Sequence, residues 1–155
     1  MGNQLTTVTD RKKELIINAG GKNMSPSNTE NWIKAFSPLI GQAVAIGNNR
    51  KYNVALISLD PNAIATVSER HALPTDPAEL AEHPVVRQAV DDAVALANGK
   101  LSRVEQIKKF KIVPDFWEPE SDVLTATLKI RRKPIDLQYA ELIESSTPSR
   151  QPRVL

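Results

Sequence analysis

The segment GQAVAIGNNRKYNVALISLD (residues 41–60) decides the fold prediction for this chain. Its two halves, AVAIG and YNVALISL, have the apolar and β-branched composition of strands, and NNRK between them has the composition of a turn. This pattern predicts a β-hairpin.

Helix signals lie on both sides of the hairpin. In SPSNTENWIKAF (residues 25–36) Ser25 can cap a helix that starts at Pro26, and Ser27 with Glu30 forms a competing capping box. Residues 84–98, PVVRQAVDDAVALAN, carry apolar residues at helical spacing and are followed by Gly99, so they give the clearest helix prediction.

The remaining segments are assigned by the same signals. PNAIATVSERH (residues 61–71) predicts a short helix, and ALPTDPAELAEHP (72–84) with its prolines predicts irregular chain. FKIV predicts a strand, PDFWEPESD a loop, and KPIDLQYAELIES a helix that opens near Pro134. Residues 4–21 predict two short strands joined by a charged turn. We therefore expect an α+β fold: a small mixed domain with an N-terminal two-stranded hairpin and a small sheet flanked by helices.

Composition excludes several classes of function. The 155 residues suit one domain, and 41% hydrophobic residues can form a modest core. The net charge of +2 is too small to indicate nucleic acid as a partner. With no cysteine and two histidines, thiolate catalysis and a metal site built on these residues are not expected. We expect no membrane-spanning or targeting segment and a reducing, cytoplasmic location.

Two charged segments remain, and each has a simple interpretation as solvated surface. In TDRKKELIINAGGKN (residues 9–23) a charged turn leads into an apolar strand and a glycine pair. In LTATLKIRRK (residues 124–133) apolar and polar residues alternate, which predicts a strand with Lys129 on the polar face, and four cations occupy positions 129–133. Such a cluster can hold phosphate, or it can be a wet sheet edge.

Taken together and in this order, these two segments resemble the C-terminal domain of the adenylate-forming enzymes, most closely the long-chain fatty acyl-CoA synthetases. The resemblance covers roughly residues 4–144. It implies ATP, Mg²⁺ and coenzyme A as cofactors and a reaction in two steps. A carboxylate first attacks the α-phosphate of ATP, and the thiol of coenzyme A then displaces AMP while the small C-terminal domain rotates between the steps.

The resemblance also implies residue roles. Arg11 and Lys13 match the hinge motif, Gly20, Gly21 and Lys22 match the residues along the path of the pantetheine arm, and Lys129 matches the lysine required for adenylation. One departure is Leu128, which stands where many relatives have glycine.

The implied organisation is a linker end and first strand in residues 1–10, a mobile C-terminal domain in residues 11–144 and a disordered tail in residues 145–155. The chain contains no Gly/Ser/Thr-rich phosphate loop, so its implied partner is an N-terminal adenylation domain, without which we expect no catalysis. Two other functions stay open: an acyl-AMP ligase that loads a carrier protein, and a non-enzymatic basic binding module. Peripheral membrane association of a whole enzyme also stays open.

Overall fold

A computed structural model describes residues 15–146 of the chain. In chain order the elements are β1 (Ile16–Ile17), β2 (Asn23–Met24), α1 (Pro26–Ala35), β3 (Ile40–Ile46), β4 (Asn53–Leu59), α2 (Pro61–His71), α3 (Pro77–Glu82), α4 (Pro84–Asn98), a 3₁₀ turn (Arg103–Glu105), β5 (Ile107–Ile112), α5 (Arg132–Gln138) and α6 (Ala140–Ser146). The expectations for residues 1–14 and 147–155 lie outside the described residues.

The predicted central hairpin is confirmed. β3 and β4 pair antiparallel, with Val44 opposite Leu56, and β5 adds to the other side of β4 in parallel orientation. Helices α2, α3 and α4 lie between β4 and β5 along the chain and provide the crossover that a parallel pair requires. β4 is therefore the middle strand, and all its residues are buried.

The sheet is covered on both faces, because neighbouring side chains along a strand point in opposite directions. Ala43, Ala55 and Ile57 pack in a core with α1 and α4, whereas Val44 and Leu56 pack in a second core with α5 and α6. The result is three layers, helix–sheet–helix. This burial explains why YNVALISL is a continuous apolar run rather than an alternating one.

The α+β assignment is confirmed, as are most of the predicted elements. The four predicted core positions of α4 are each at most 6% exposed, and Gly99 is its C-cap. These positions are Val86, Val90, Val94 and Ala97. The predicted strand at FKIV is part of the longer β5, and residues 114–122 form the predicted loop. Ile16–Ile17 also pairs with Asn23–Met24 across the glycine turn, a pairing that the sequence did not indicate.

Two helix predictions were wrong. Residues 77–82, expected to be irregular, form α3 with Pro77 in its first turn, where the missing N–H of proline costs nothing. The C-terminal helix is two helices that part at Tyr139, which ends α5 outside the helical region and is 7% exposed. Tyr139 is fixed by the second core, so tertiary packing interrupts a segment whose sequence would permit one helix.

The capping prediction for α1 was partly wrong. Ser25 does occupy the N-cap and Pro26 the first helical position, but the Ser25 side chain makes no capping hydrogen bond. Glu30 does not complete a box with Ser27, since its carboxylate is buried and accepts from Ala45 and Arg132. Ser102 and Glu105, in contrast, form a reciprocal capping box at the start of the 3₁₀ turn.

Candidate functional site

Residues 124–132 do not form the predicted strand but a tight loop that projects Lys129. Leu124 and Ile130 make a single antiparallel bridge, and the five residues between them turn the chain back. Leu124 and Ile130 alone keep the inward orientation, because Ala126 and Leu128 are exposed. The strand prediction was wrong because the alternation of apolar and polar residues has the period of a strand although the segment forms a turn.

Thr125 closes this loop, which we call the Lys129 loop (residues 124–130). Its N–H donates to the carbonyl of Lys129 at 2.9 Å, and its Oγ1 accepts from the N–H of Lys129 at 3.0 Å. The Thr125 carbonyl also accepts from the N–H of Leu128 at 3.0 Å. Three hydrogen bonds from one residue thus fix the backbone that carries the Lys129 side chain.

Leu128 adopts a left-handed conformation with φ of +67°. A branched residue in this region is strained, whereas glycine adopts it freely. Leu128 therefore occupies a backbone conformation that favours glycine. Glycine is the residue that many relatives were expected to have at this position. The Gln42 side chain on β3 donates to the Leu128 carbonyl at 3.5 Å, which ties the loop to the sheet.

Lys129 is exposed, and its ammonium is available to a partner outside this domain. Among the ion pairs in the part of the chain that the structure describes, Arg50–Glu144 and Arg132–Glu30, Lys129 takes no part. The backbone of the residue is held while its side chain extends into solvent. A long side chain on a fixed backbone can reach a ligand beyond the loop itself.

The Lys129 loop is anchored behind by a buried carboxylate. Glu30 on α1 is 4% exposed, and its two oxygens accept from the guanidinium of Arg132 at 2.7 and 2.9 Å. The same carboxylate accepts from the N–H of Ala45 on β3 at 2.8 Å. Arg132 opens α5 directly after the loop, so one carboxylate joins α1, β3 and the end of the loop.

The predicted pantetheine residues lie in a second turn, which we call the glycine turn (residues 18–22). Asn18 organises it: its Oδ1 accepts from the N–H groups of Gly20 and Lys22, at 2.9 and 3.0 Å. Gly21 has φ of +81°, which favours glycine, whereas a side chain at Gly20 would meet only Asn18 Oδ1, at 3.4 Å. Gly20 is therefore not required by the fold of the described residues.

Beside the glycine turn is a cleft of about 590 Å³ with a basic lining. Four of its described lining residues are cations and none is acidic: Lys22, Lys51, Arg103 and Lys108. Tyr52 also lines the cleft, and the ammonium of Lys109 lies 5.7 Å from the centre of its ring. The cleft is an electrostatic fit for a multiply charged anion.

The two turns lie at opposite ends of the same strand. The Lys129 loop contacts Gln42 near the start of β3, and the glycine turn hydrogen-bonds the β3–β4 turn through Ala19 and Arg50 at 2.9 Å. Asn48, in that turn, accepts from the N–H of Ile17 at 3.1 Å. Since Gln42 and Asn48 are six residues apart, the separation is about 15–20 Å along an extended chain.

Sequence reasoning named Lys129 and the glycine turn but missed the residues that support them. Thr125, Gln42 and Asn18 position the two turns, and Glu30 was assigned to a helix cap instead of the Arg132 ion pair. In the sequence, only the position of Thr125 four residues before Lys129 and of Asn18 two residues before Gly20 could have indicated that these side chains support the two turns. The predicted hinge residues, Arg11 and Lys13, lie outside the described part of the chain.

A buried polar network supports the loop that precedes residue 124. The indole N–H of Trp117 donates to the Tyr139 hydroxyl at 2.9 Å, and this hydroxyl donates to Asp115 at 2.7 Å. Burial, opposed by the Trp117 hydrogen bond and reinforced by Asp115, raises the pKa of Tyr139 to about 12. Trp117 thus anchors the loop of residues 114–122 to the second core. Within residues 15–146, no group of three or more acidic or histidine side chains could hold a metal.

The three-layer fold has counterparts among known proteins. Residues 13–147 match the family model described as AMP-binding enzyme C-terminal domain. Since this match covers most of the 155 residues, the chain belongs to that family of C-terminal domains.

Two relatives from Mycobacterium tuberculosis are similar over nearly the whole chain. The protein named fadD11, described as a putative fatty-acid–CoA ligase, is 49% identical over 137 residues, which are 88% of this chain and 24% of the relative. The long-chain-fatty-acid–CoA ligase FadD15 is 38% identical over 141 residues, 90% of this chain and 23% of that protein. The chain thus spans about a quarter of the length of these relatives.

Solved structures show the same fold. The A domain of carboxylic acid reductase from Segniliparus rugosus, in complex with AMP and a co-purified carboxylic acid, is 22% identical with a TM-score of 0.65, and the match covers 87% of this chain and 20% of that one. At this identity the likeness concerns the fold alone. In the described part of this chain, no helix has both the length and the apolar composition needed to cross a bilayer.

Proposed function

We propose that this chain is the mobile C-terminal domain of a long-chain fatty-acid–CoA ligase, within residues 11–144. The reaction is ATP + fatty acid + CoA → acyl-CoA + AMP + pyrophosphate, through an acyl-adenylate. The observation that carries the proposal is the exposed Lys129 on a hydrogen-bonded loop in a member of this family. The relatives named as fatty-acid–CoA ligases supply the substrate class.

Lys129 serves the first step. Adenylation brings an anionic carboxylate to a polyanionic phosphate, and an ammonium between them offsets their repulsion and stabilises charge in the transition state. The Thr125 hydrogen bonds support this role, because they fix the backbone from which the long side chain extends. Mg²⁺ enters with ATP and is held mostly by phosphates and the N-terminal domain.

The glycine turn and the basic cleft serve the second step. Gly20 has no side chain to obstruct a pantetheine arm, and Gly21 gives the turn its left-handed conformation. Lys22 lies between the turn and the cleft, whose cations suit the phosphates of coenzyme A. Acyl transfer then requires that the glycine turn and the basic cleft, rather than the Lys129 loop, face the adenylate.

The proposal includes a rotation of the domain between the two steps, and the separation of the two turns supports it. Segments about 15–20 Å apart on one rigid strand cannot occupy the same reaction centre in one orientation. Arg11 and Lys13 are the proposed hinge of this rotation. Residues 1–10 are proposed as the end of a linker to the N-terminal adenylation domain, the principal partner.

The test is Lys129→Ala in the full-length protein, with the two half-reactions measured separately. Loss of one preorganised donor costs about 3–4 kcal/mol, so acyl-adenylate formation should fall roughly 100- to 1,000-fold. Thioester formation from supplied acyl-adenylate should change little, because in the proposed second step the domain has rotated and Lys129 is no longer at the reaction centre. Lys133→Ala, which removes a nearby cation outside the loop, is the control. Equal losses in both half-reactions would contradict the assignment.

A carrier-protein thiol is the alternative acceptor, because the C-terminal domain of an acyl-AMP ligase would present the same adenylation loop. The basic cleft favours coenzyme A, whose nucleotide carries phosphates that the cleft can bind. Turnover of the full-length protein with coenzyme A and with a carrier protein, each supplied alone, distinguishes the two acceptors.

A further inference from the structure

The position of Glu30 is unusual for a carboxylate. It is 4% exposed, yet it lies on α1, a helix that otherwise packs through apolar and uncharged side chains. Burial of a charge is costly unless the charge is paired and hydrogen-bonded. Glu30 meets this requirement with three hydrogen bonds: two from the fork of Arg132 and one from the N–H of Ala45.

The two partners of this carboxylate, Arg132 and Ala45, lie at the base of the Lys129 loop. Arg132 is three residues beyond Lys129, and Ala45 is on the strand whose Gln42 holds the Leu128 carbonyl. Between them, the N–H of Arg131 donates to the Val123 carbonyl at 2.8 Å and closes the base of the loop. Displacing Arg132 therefore moves the backbone that determines where the ammonium of Lys129 points.

The geometry points to Glu30 as a positioning residue for adenylation, which acts through Arg132 on Lys129. This inference rests on the proposed role of Lys129. Glu30 touches no substrate in this role. Its carboxylate holds the Arg132 fork against β3, and the fork holds the C-terminal end of the Lys129 loop. The two-point contact matters because a planar fork fixes orientation, whereas a single ammonium does not.

A purely structural ion pair would affect both half-reactions alike, since both need a folded domain. A positioning pair should affect adenylation selectively, because only that step uses Lys129. A displacement of about 1 Å of a catalytic group can lower a rate roughly 100-fold. The distinguishing measurement is therefore the ratio of the two half-reaction rates together with the melting temperature.

The test uses the full-length protein with Glu30→Gln, Arg132→Gln, the double variant and Arg132→Lys. We expect both single variants to lower acyl-adenylate formation roughly 10- to 100-fold and thioester formation from supplied acyl-adenylate less than about threefold. The double variant should lose no more than either single variant, because the residues act as a unit. Arg132→Lys should be intermediate, since it keeps the charge and loses the fork.

Glu144→Gln is the matched control, because it removes a carboxylate from the other described arginine ion pair, with Arg50. Both its half-reactions should stay at the wild-type rate. Should Glu30→Gln not fold, the Arg132 variants carry the same test, since that side chain is 24% exposed. Equal losses in both half-reactions, or unchanged adenylation by a folded variant, would overturn the inference. Lys129→Ala without a selective loss would instead overturn the proposed function.

Discussion

At the residue scale, the two glycines of the glycine turn differ in whether the backbone conformation requires glycine. Gly21 is required by its backbone, because φ of +81° is strained for any other residue. Gly20 is exposed, and a Cβ atom added there would meet no described atom closer than 3.4 Å. A cost of substitution at Gly20 would therefore arise from function rather than from folding.

Gly20→Leu in the full-length protein tests this point. We expect a melting temperature within about 2 °C of wild type, adenylation unchanged and thioester formation lowered at least tenfold, because the side chain enters the proposed pantetheine path. The comparison is Gly21→Ala, which should lower stability by roughly 1 kcal/mol through backbone strain. A Gly20 variant with normal thioester formation would exclude Gly20 from the path.

Leu128 provides a second test at the residue scale, in thermodynamic form. Its left-handed conformation costs roughly 1–2 kcal/mol for leucine, whereas glycine in the same place loses about 0.5–1 kcal/mol of chain entropy on folding. Since Leu128 is 51% exposed, little packing is lost. Leu128→Gly should therefore leave the free energy of unfolding unchanged or raise it by up to about 1 kcal/mol, as measured by urea denaturation.

Ala126→Gly is the control for this measurement, since it places glycine two residues earlier in the same exposed loop. It should lower the free energy of unfolding by about 0.5–1 kcal/mol, because it adds chain entropy without relieving strain. If both variants were destabilised equally, Leu128 would not be under the strain that its φ indicates.

At the scale of elements, the interruption between α5 and α6 depends on Tyr139, whose hydroxyl lies between Trp117 and Asp115. This network attaches the loop of residues 114–122 to the helices of the second core. The contribution of this network to stability depends on pH, because burial and Asp115 favour the neutral Tyr139 hydroxyl in the folded protein.

The pKa of Tyr139 is raised from 10.0 to about 12, so the stabilisation is complete below pH 10 and is lost as the pH rises through 12. Its size is of order 2–3 kcal/mol. Lysines titrate in the same range, so the measurement is the difference in unfolding free energy between wild type and Tyr139→Phe. This difference should shrink between pH 10 and 12, and a constant difference would contradict the assigned network.

At the scale of the whole molecule, we expect the three layers to fold on their own and the proposed catalytic apparatus to require a further domain. Both cores are closed by elements within residues 15–146, whereas Lys129 and the basic cleft face outward. We expect the 155-residue chain to unfold cooperatively and to form no acyl-CoA from fatty acid, ATP, Mg²⁺ and coenzyme A. The measurements are thermal denaturation by circular dichroism and a thioester assay. Acyl-CoA synthesis by the chain alone would contradict the proposed division of labour.

The sequence alone was enough to predict the hairpin of β3 and β4, helices α1, α2 and α4 and the α+β class, and it drew attention to Lys129, whose role stays a prediction. These features are local or rest on a motif: apolar periodicity, turn residues, proline starts and the order of two charged segments. Local signals survive in the folded protein when packing agrees with them, as it does along α4, where five buried residues share one face.

Only the tertiary structure decided the shape of the Lys129 loop, the partition of α5 and α6 and the role of Glu30. Residues 124–132 alternate like a strand, and what makes them a turn is the set of hydrogen bonds from Thr125 with the left-handed Leu128. Glu30 can form a helix cap in sequence, but its partner Arg132 lies 102 residues away, and only the fold brings the guanidinium within hydrogen-bonding distance of the carboxylate. Contacts between residues far apart in the chain produce no periodic pattern in the sequence. Only the tertiary structure therefore shows them.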